Sequence, residues 1–323
     1  MTETPTQFKT AVVTGGCSGI GLHLVQHLLT KPHWRVVVAD IRPDAFTAIE
    51  PTLDSSRTLF VPTDVASWDS NAALFKQAHS WSDGRIDFFA ANAGTADKES
   101  MYSAMDLEAE PAKPDLVCLD VNQIAVFYGM KLFIYYARKT QQGLKTAGGS
   151  APFNPKMVIT ASCTAQYPFC VAPQYAASKH AVLGLTRAVG PVLHAQDNIA
   201  VNCILPAYLD TGLTPSTLTK AWPPEWVTPT STTSRAFEEL IDEEGKVEQD
   251  GKSDGVDGRV KVAQSVECVL DRLYYRESVP FPDESQKFLI DEAVKLDGLW
   301  WKALTGLLES GGVGVKQGGV QSV

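Results

Sequence analysis

The chain has 323 residues, 44% of them hydrophobic and 20% charged, and a formal net charge of −9. This is the composition of a soluble globular protein. The acidic balance argues against a surface for nucleic acid or anionic membrane. Residues 1–10 are polar and lack the apolar core of a signal peptide. The six cysteines (17, 118, 163, 170, 203 and 268) show neither Cys-x-x-Cys spacing nor a dense cluster. Reduced thiols in a cytoplasmic protein are therefore expected.

In chain order, residues 10–14 read as a short apolar strand, followed by a glycine-rich turn and a helix-period run over 20–29. A break with proline at 31–33 leads into a second strand over 35–39, ending at Asp40. This is one βαβ unit of about 30 residues, the size a crossover connection needs. A strand over 58–61, a helix over 71–80 and a strand over 86–90 follow. The apolar run from 117 to 140 reads as a long helix, and Asp120, Asn122 and Lys131 within it suit a buried helix rather than a membrane span. A strand over 157–160, a helix over 175–193 and a strand over 199–205 complete the pattern. Strands alternating with helices predict an α/β fold: one doubly wound parallel sheet with helices on both faces.

Past Pro206 the pattern loosens. Residues 208–235, rich in proline, tryptophan and threonine, read mainly as a loop. A helix is expected over 236–244, a mobile acidic, glycine-rich loop over 244–259, a helix over 262–276, a last strand over 287–291 and a short helix over 296–308. The carboxylates between 238 and 244 read as a solvated helix face. One domain is expected over 1–310, with a disordered tail over 311–323.

Thr14, Gly15, Gly16, Cys17, Ser18, Gly19, Ile20 and Gly21 join the first strand to the first helix. Glycines there allow a tight turn and close backbone approach to a pyrophosphate, and the helix N-terminus offers free N–H groups to the anion. Cys17 reads as a small filler of the turn. Asp40, followed by Ile41, lies about 20 residues further on, where a carboxylate accepts from an adenosine ribose and repels a 2′-phosphate. This favours NAD. Arg42 keeps NADP open, since an arginine there can meet a phosphate. Asp64 and Val65 are placed to border the adenine, with a plain helix cap as the alternative. His23 and His27 are four apart but have no third ligand nearby, so no metal is expected.

Tyr175 and Lys179 are also four apart, on one face of a helix. A phenol with a pKa near ~10 is a poor acid/base at neutral pH, and a cation beside it favours the phenolate. Such a tyrosine suits alcohol–ketone interconversion. Ser162 lies upstream, at the end of the strand over 157–160.

Together these residues resemble the short-chain dehydrogenase/reductase family over roughly residues 9–211. The resemblance includes the glycine motif, Asp64, and Asn92, Ala93 and Gly94 in an Asn-Asn-Ala-Gly element whose first Asn is Ala91 here. Asn122, Ser162, Tyr175 and Lys179 match the family's catalytic tetrad in order and spacing. Pro206 to Thr211 matches a Pro-Gly-x-x-x-Thr element, with Ala207 in place of the glycine. After Pro206 the chain is most similar to hydroxyprostaglandin-dehydrogenase-like members, especially fungal ones.

The resemblance implies a Rossmann-type catalytic domain with a C-terminal substrate-loop and helical extension. It implies Tyr175 as general acid/base, and Lys179 as the residue that favours its phenolate and holds the nicotinamide ribose. Ser162 would hold the substrate oxygen, Asn122 an ordered water, and Thr211 the nicotinamide amide. Tyr167, Phe169, Tyr208, Leu213, Trp222 and Trp226 are candidates to line an apolar pocket; packing of the loop is the alternative for the tryptophans. The expected activity is NAD-linked oxidation of a bulky lipophilic alcohol of the secondary-metabolite kind. The alternatives are an NADPH-linked ketoreductase, a redox-neutral cyclase or isomerase, and a nucleotide-sensing protein without catalysis. A small-molecule substrate and a homodimer or homotetramer are expected.

Overall fold

The central strand β1 (Lys9–Thr14) shows why the sheet has two covered faces. Val12 belongs to one apolar cluster, and its neighbours Ala11 and Val13 belong to the other. Side chains alternate across a strand, so a strand apolar on both sides needs a helix layer above and below. The computed structural model describes residues 8–103, 106–146, 148, 153–214, 216–296, 298–303, 315–316 and 319–320.

After β1 come α1 (Gly19–Thr30), β2 (Trp34–Asp40), α2 (Pro43–Ile49), β3 (Thr58–Pro62), α3 (Trp68–Trp81) and β4 (Phe88–Ala91). Next, α4 (Val117–Leu119) runs through a π turn at Asp120–Ile124 into α5 (Ala125–Thr146). Then follow β5 (Lys156–Thr160), α6 (Pro173–Asp197), β6 (Ala200–Pro206), α7 (Ser216–Ala221), α8 (Thr230–Ile241), β7 (Ser265–Val269) and β8 (Arg272–Tyr275). The strand order is β3-β2-β1-β4-β5-β6-β7-β8, parallel throughout except for the antiparallel β7–β8 pair. Connections turn opposite ways from β1 and β4, which leaves a crevice at the carboxyl ends of these strands. This is the doubly wound sheet read from the sequence.

One face is covered by α3, α5 and α6, through residues such as Phe75, Phe133 and Val182. The other is covered by α1 and α8, through Leu24, Leu28, Phe237 and Leu240. The helical stretch Val117–Thr146 is long and apolar enough to cross a membrane by length and composition; here it sends Met130, Phe133 and Ala137 into the first cluster.

The C-terminal third departs from expectation. The helix expected over 262–276 is instead the β7–β8 hairpin. Its first strand pairs with the edge of β6 through Ser265–Cys268, a long-range partner that local pattern does not reveal. The loop over 244–259 is tied down rather than loose. The buried Lys261 ammonium donates to the carbonyls of Gly245 (2.9 Å), Arg259 (2.7 Å) and Val256. Residues 252–254 also hydrogen-bond along β8. Glu239, expected on a solvated face, is buried and accepts from Ser253 Oγ (2.8 Å) and the Tyr275 hydroxyl (2.9 Å).

The chain divides into two compact units, Met1–Arg276 and Glu277–Val323. In the second, the strand expected over 287–291 is helical: α9 (Glu284–Phe288) continues into a π turn at Leu289–Ala293. Asp283 caps it by accepting from Gln286 N at 3.0 Å, a local signal that favours helix. Residues 299–303 are helical, and 304–308 lie outside the described residues. Of the tail over 311–323, only the short pair β9 (Val315–Lys316) and β10 (Gly319–Val320) is described.

Candidate active site

The glycine turn between β1 and α1 has no space for side chains. Gly15 and Gly19 have φ of +64° and +51°, which favour glycine. A first side-chain carbon on Gly21 would lie 2.2 Å from the Gly15 carbonyl oxygen. Ser18, the N-cap of α1, makes no side-chain cap bond. The backbone thus forms a cradle at a helix N-terminus, which suits a pyrophosphate.

Asp40, buried at the end of β2, borders this cradle. Its two oxygens accept from Cys17 N and Arg42 N, each at 3.1 Å. The Arg42 guanidinium lies 3.5 Å from Asp40 and donates to Ser18 Oγ at 3.1 Å. Burial and then Asp40 push the Cys17 thiol up to about 12, so it stays protonated. Asn92 braces the far wall, donating to Thr14 O (3.1 Å) and accepting from Thr160 Oγ1 (3.0 Å).

A cleft of about 710 Å³ runs from this cradle to Tyr175 and Lys179 at the start of α6. The Lys179 ammonium donates to Thr160 O at 2.8 Å and sits 5.4 Å from the centroid of the Tyr175 ring. Gly94 is close by: a first side-chain carbon there would be 3.6 Å from Lys179 Nζ and 3.4 Å from Asn122 Oδ1. Ser162 caps a short 3-10 turn after β5, accepting from Thr164 N at 3.2 Å.

The electrostatics differ from the sequence-based expectation. Burial pushes the Tyr175 phenol up to about 12, and the Ser162 hydroxyl only partly opposes it. Burial also pulls Lys179 down to about 8. The ammonium is anchored on the Thr160 carbonyl, and desolvation is the leading influence on both groups.

The family model for short chain dehydrogenases matches residues 9–222. The chain is a short-chain dehydrogenase. This dehydrogenase is 31% identical over 283 residues to the short-chain dehydrogenase/reductase prx6 of Penicillium rubens, covering 84% of this chain and 86% of that one. It is 28% identical over 207 residues to the NADP-dependent dehydrogenase clz5 of Cochliobolus lunatus, covering 62% of this chain and 71% of that one. Its fold matches 3-ketoacyl-(acyl-carrier-protein) reductase from Brucella melitensis complexed with NADH, at a TM-score of 0.64 and 18% identity, covering 82% of this chain and 98% of that one. The chain is thus an NAD(P)-dependent oxidoreductase.

Most of the residues singled out in the sequence meet at this cleft. Gly15, Ser18, Gly19, Ile20, Asp40, Ile41, Asp64, Val65, Asn92, Ala93, Gly94, Tyr175, Lys179 and Thr211 line it. Thr14, Gly16, Cys17, Gly21, Asn122, Ser162 and Pro206 do not line it; most of them brace residues that do. Asp64 accepts from Ala66 N at 2.9 Å in a turn before α3, whose N-cap is Ser67 rather than Asp64.

Of the six candidate pocket residues only Leu213 lines the cleft. Tyr208 and Trp222 stack on each other at 4.0 Å, and Trp222 Nε1 reaches Trp226 O at 3.4 Å, so this loop packs on itself. Trp226 is 60% exposed. Tyr167 is bound to Glu267 at 3.3 Å. Phe169 packs edge-on to the Tyr175 ring at 6.4 Å without lining the cleft. The sequence reading missed Thr95, Asp97, Lys98, Val117 and Val121 on the cleft wall. The position of residues 95–98 just after Gly94 was the one available signal.

Proposed function

We propose that this dehydrogenase oxidises a bulky lipophilic secondary alcohol to its ketone, with NAD as acceptor. The reading rests on one observation: Tyr175 and Lys179 line the same cleft as the glycine turn and Asp40. The residues fit a dinucleotide, because the bare glycines and the uncapped start of α1 leave backbone donors for phosphates. A bound nicotinamide supplies the hydride acceptor for oxidation or the donor for reduction.

In oxidation Tyr175 takes the substrate hydroxyl proton as the phenolate, and in the reverse direction the protonated phenol returns it. Ser162, whose hydroxyl favours the ionised phenol, orients the substrate oxygen. Lys179 places its ammonium to hold a ribose. Leu213 on the cleft wall and Phe169 against Tyr175 support an apolar substrate.

Asp40 supports NAD, since its carboxylate repels a 2′-phosphate. The second reading, NADPH-linked ketone reduction, draws on Arg42, whose guanidinium lies beside Asp40 and Ser18. The relative from Cochliobolus lunatus, named as NADP-dependent, points the same way.

The test is a screen of secondary alcohols with NAD and NADP, and of ketones with NADH and NADPH, followed by cofactor absorbance. Tyr175→Phe should abolish turnover and keep NAD binding. Full activity in that variant, or turnover without any absorbance change, would sink the proposal. Faster ketone reduction with NADPH would select the second reading.

A further inference from the structure

The catalytic helix α6 begins without a local cap. Its N-cap is Ala172, which has no side-chain acceptor, and Pro173 follows at the first helical position. The next two backbone N–H groups, of Gln174 and Tyr175, have no partner within the helix. Both are taken by one carboxylate from far away in the chain. Asp97 Oδ2 accepts from Gln174 N at 3.0 Å, and Asp97 Oδ1 accepts from Tyr175 N at 2.7 Å.

Asp97 lies three residues after Gly94, on the cleft wall. The intervening Thr95 is clamped by Asn122 through both its N–H and its carbonyl, each at 2.9 Å. The other end of the Tyr175 peptide is held too: Ser178 Oγ donates to Tyr175 O at 2.7 Å and accepts from Asn122 Nδ2 at 3.1 Å. The main chain of Tyr175 is thus fixed on both sides by groups that also fix the Gly94–Thr95 wall. A local cap would satisfy the same N–H groups but would not connect the helix to that wall.

The geometry points to Asp97 as the positioning residue that sets the place of Tyr175 relative to the cofactor cleft. This rests on the proposed role of Tyr175. A rigid two-point carboxylate contact holds the phenol at a defined distance from whatever the Gly94 wall holds. Misplacing a reacting group by about 1 Å costs on the order of 100-fold in rate.

Asp97→Ala should lower kcat about 10- to 100-fold, while the Kd for NAD stays within about threefold. Asp97→Asn keeps one acceptor oxygen and should fall between wild type and Asp97→Ala. A second substitution, Ala172→Asp, places a local cap on the same helix. In the Asp97→Ala background it should restore Tm and leave kcat low.

A readout free of substrate is the amide resonance of Tyr175 in cofactor-free protein labelled with 15N-tyrosine, identified by its loss in Tyr175→Phe. It should shift strongly in Asp97→Ala and less in Asp97→Asn. Wild-type kcat in Asp97→Ala, or kcat restored together with Tm by Ala172→Asp, would overturn the inference. So would an NAD affinity that falls in step with activity, which would assign Asp97 to cofactor binding. If Asp97→Ala does not fold, Asp97→Asn decides: wild-type kcat and an unmoved Tyr175 amide would overturn the inference. A fully active Tyr175→Phe would instead break the functional reading itself, while the amide shift would still report the tether.

Discussion

Asn122 and Thr95 are joined by two hydrogen bonds running in opposite directions, Thr95 N to Asn122 Oδ1 and Asn122 Nδ2 to Thr95 O, each 2.9 Å. A side-chain amide here acts as a strand acts on its neighbour. It does so from the π turn between α4 and α5, where the extra residue in the helix marks a functional position more often than chance. The same amide reaches Ser178, so one buried residue joins the cleft wall to the catalytic helix.

Asn122→Ala should therefore affect the wall and the helix together. Two bonds to the Thr95 backbone are lost, with an expected cost of about 2–3 kcal/mol in urea unfolding. The Kd for NAD should rise and kcat should fall at least about tenfold. A variant with weakened stability but wild-type kinetics would contradict this link.

Lys179 should be a costly residue for the fold. Burial pulls it from its ordinary 10.5 down to about 8, so the folded state holds this proton less tightly than the unfolded chain. Between about pH 8 and 10.5 the unfolded state binds more protons, and stability rises with pH; below about pH 8 the full penalty remains. Lys179→Met should thus stabilise the protein at pH 7 by ~1–3 kcal/mol, an advantage that fades toward pH 10.5, and should abolish turnover. Thermal unfolding across pH measures the first, and the cofactor-absorbance assay the second.

Asp40→Ser should raise the NADP-to-NAD ratio of kcat/KM by about tenfold or more, since it removes a carboxylate that repels a 2′-phosphate. Arg42→Ala should move the ratio the other way. Steady-state kinetics with both cofactors reads it directly, and an unchanged ratio in both variants would remove these residues from the choice.

In the substrate loop the structure separates a lining residue from a packing one. Leu213→Ala should raise KM for bulky alcohols more than for small ones. Trp222→Ala removes the stack on Tyr208, worth about 0.5–1.5 kcal/mol, and should change KM for large and small substrates alike. Size-selective kinetics of the two variants distinguish these outcomes.

Lys261 should carry much of the order of residues 244–259. Lys261→Met leaves the Gly245, Val256 and Arg259 carbonyls without their donor. A loss of about 2–4 kcal/mol in chemical unfolding is expected, with kcat per folded molecule retained.

The first two-thirds of the fold were legible because their signals are local. The run over 10–40 contains strand period, glycine turn, helix period and strand period in order, and the structure follows it from β1 to β2. The β7–β8 hairpin was not legible, because Glu267, Cys268, Asp271 and Arg272 fit a helix as readily as a strand. Pairing with β6 settled the matter. The tryptophans at 222 and 226 were equally ambiguous, since an aromatic side chain can face a pocket or its own loop.

By itself the sequence determined the doubly wound sheet and the glycine cradle, and its resemblance to the family singled out Asn122, Ser162, Tyr175 and Lys179. Turn chemistry, strand period and helix spacing act over a few residues, and they place Tyr175 and Lys179 on one helix face wherever that helix goes. The tertiary structure alone decided what holds them there. Asp97 reaches Tyr175 across 78 residues and Asn122 reaches Ser178 across 56. It also decided that burial shifts Tyr175 up and Lys179 down, because desolvation depends on what packs around a charge and has no period along the chain.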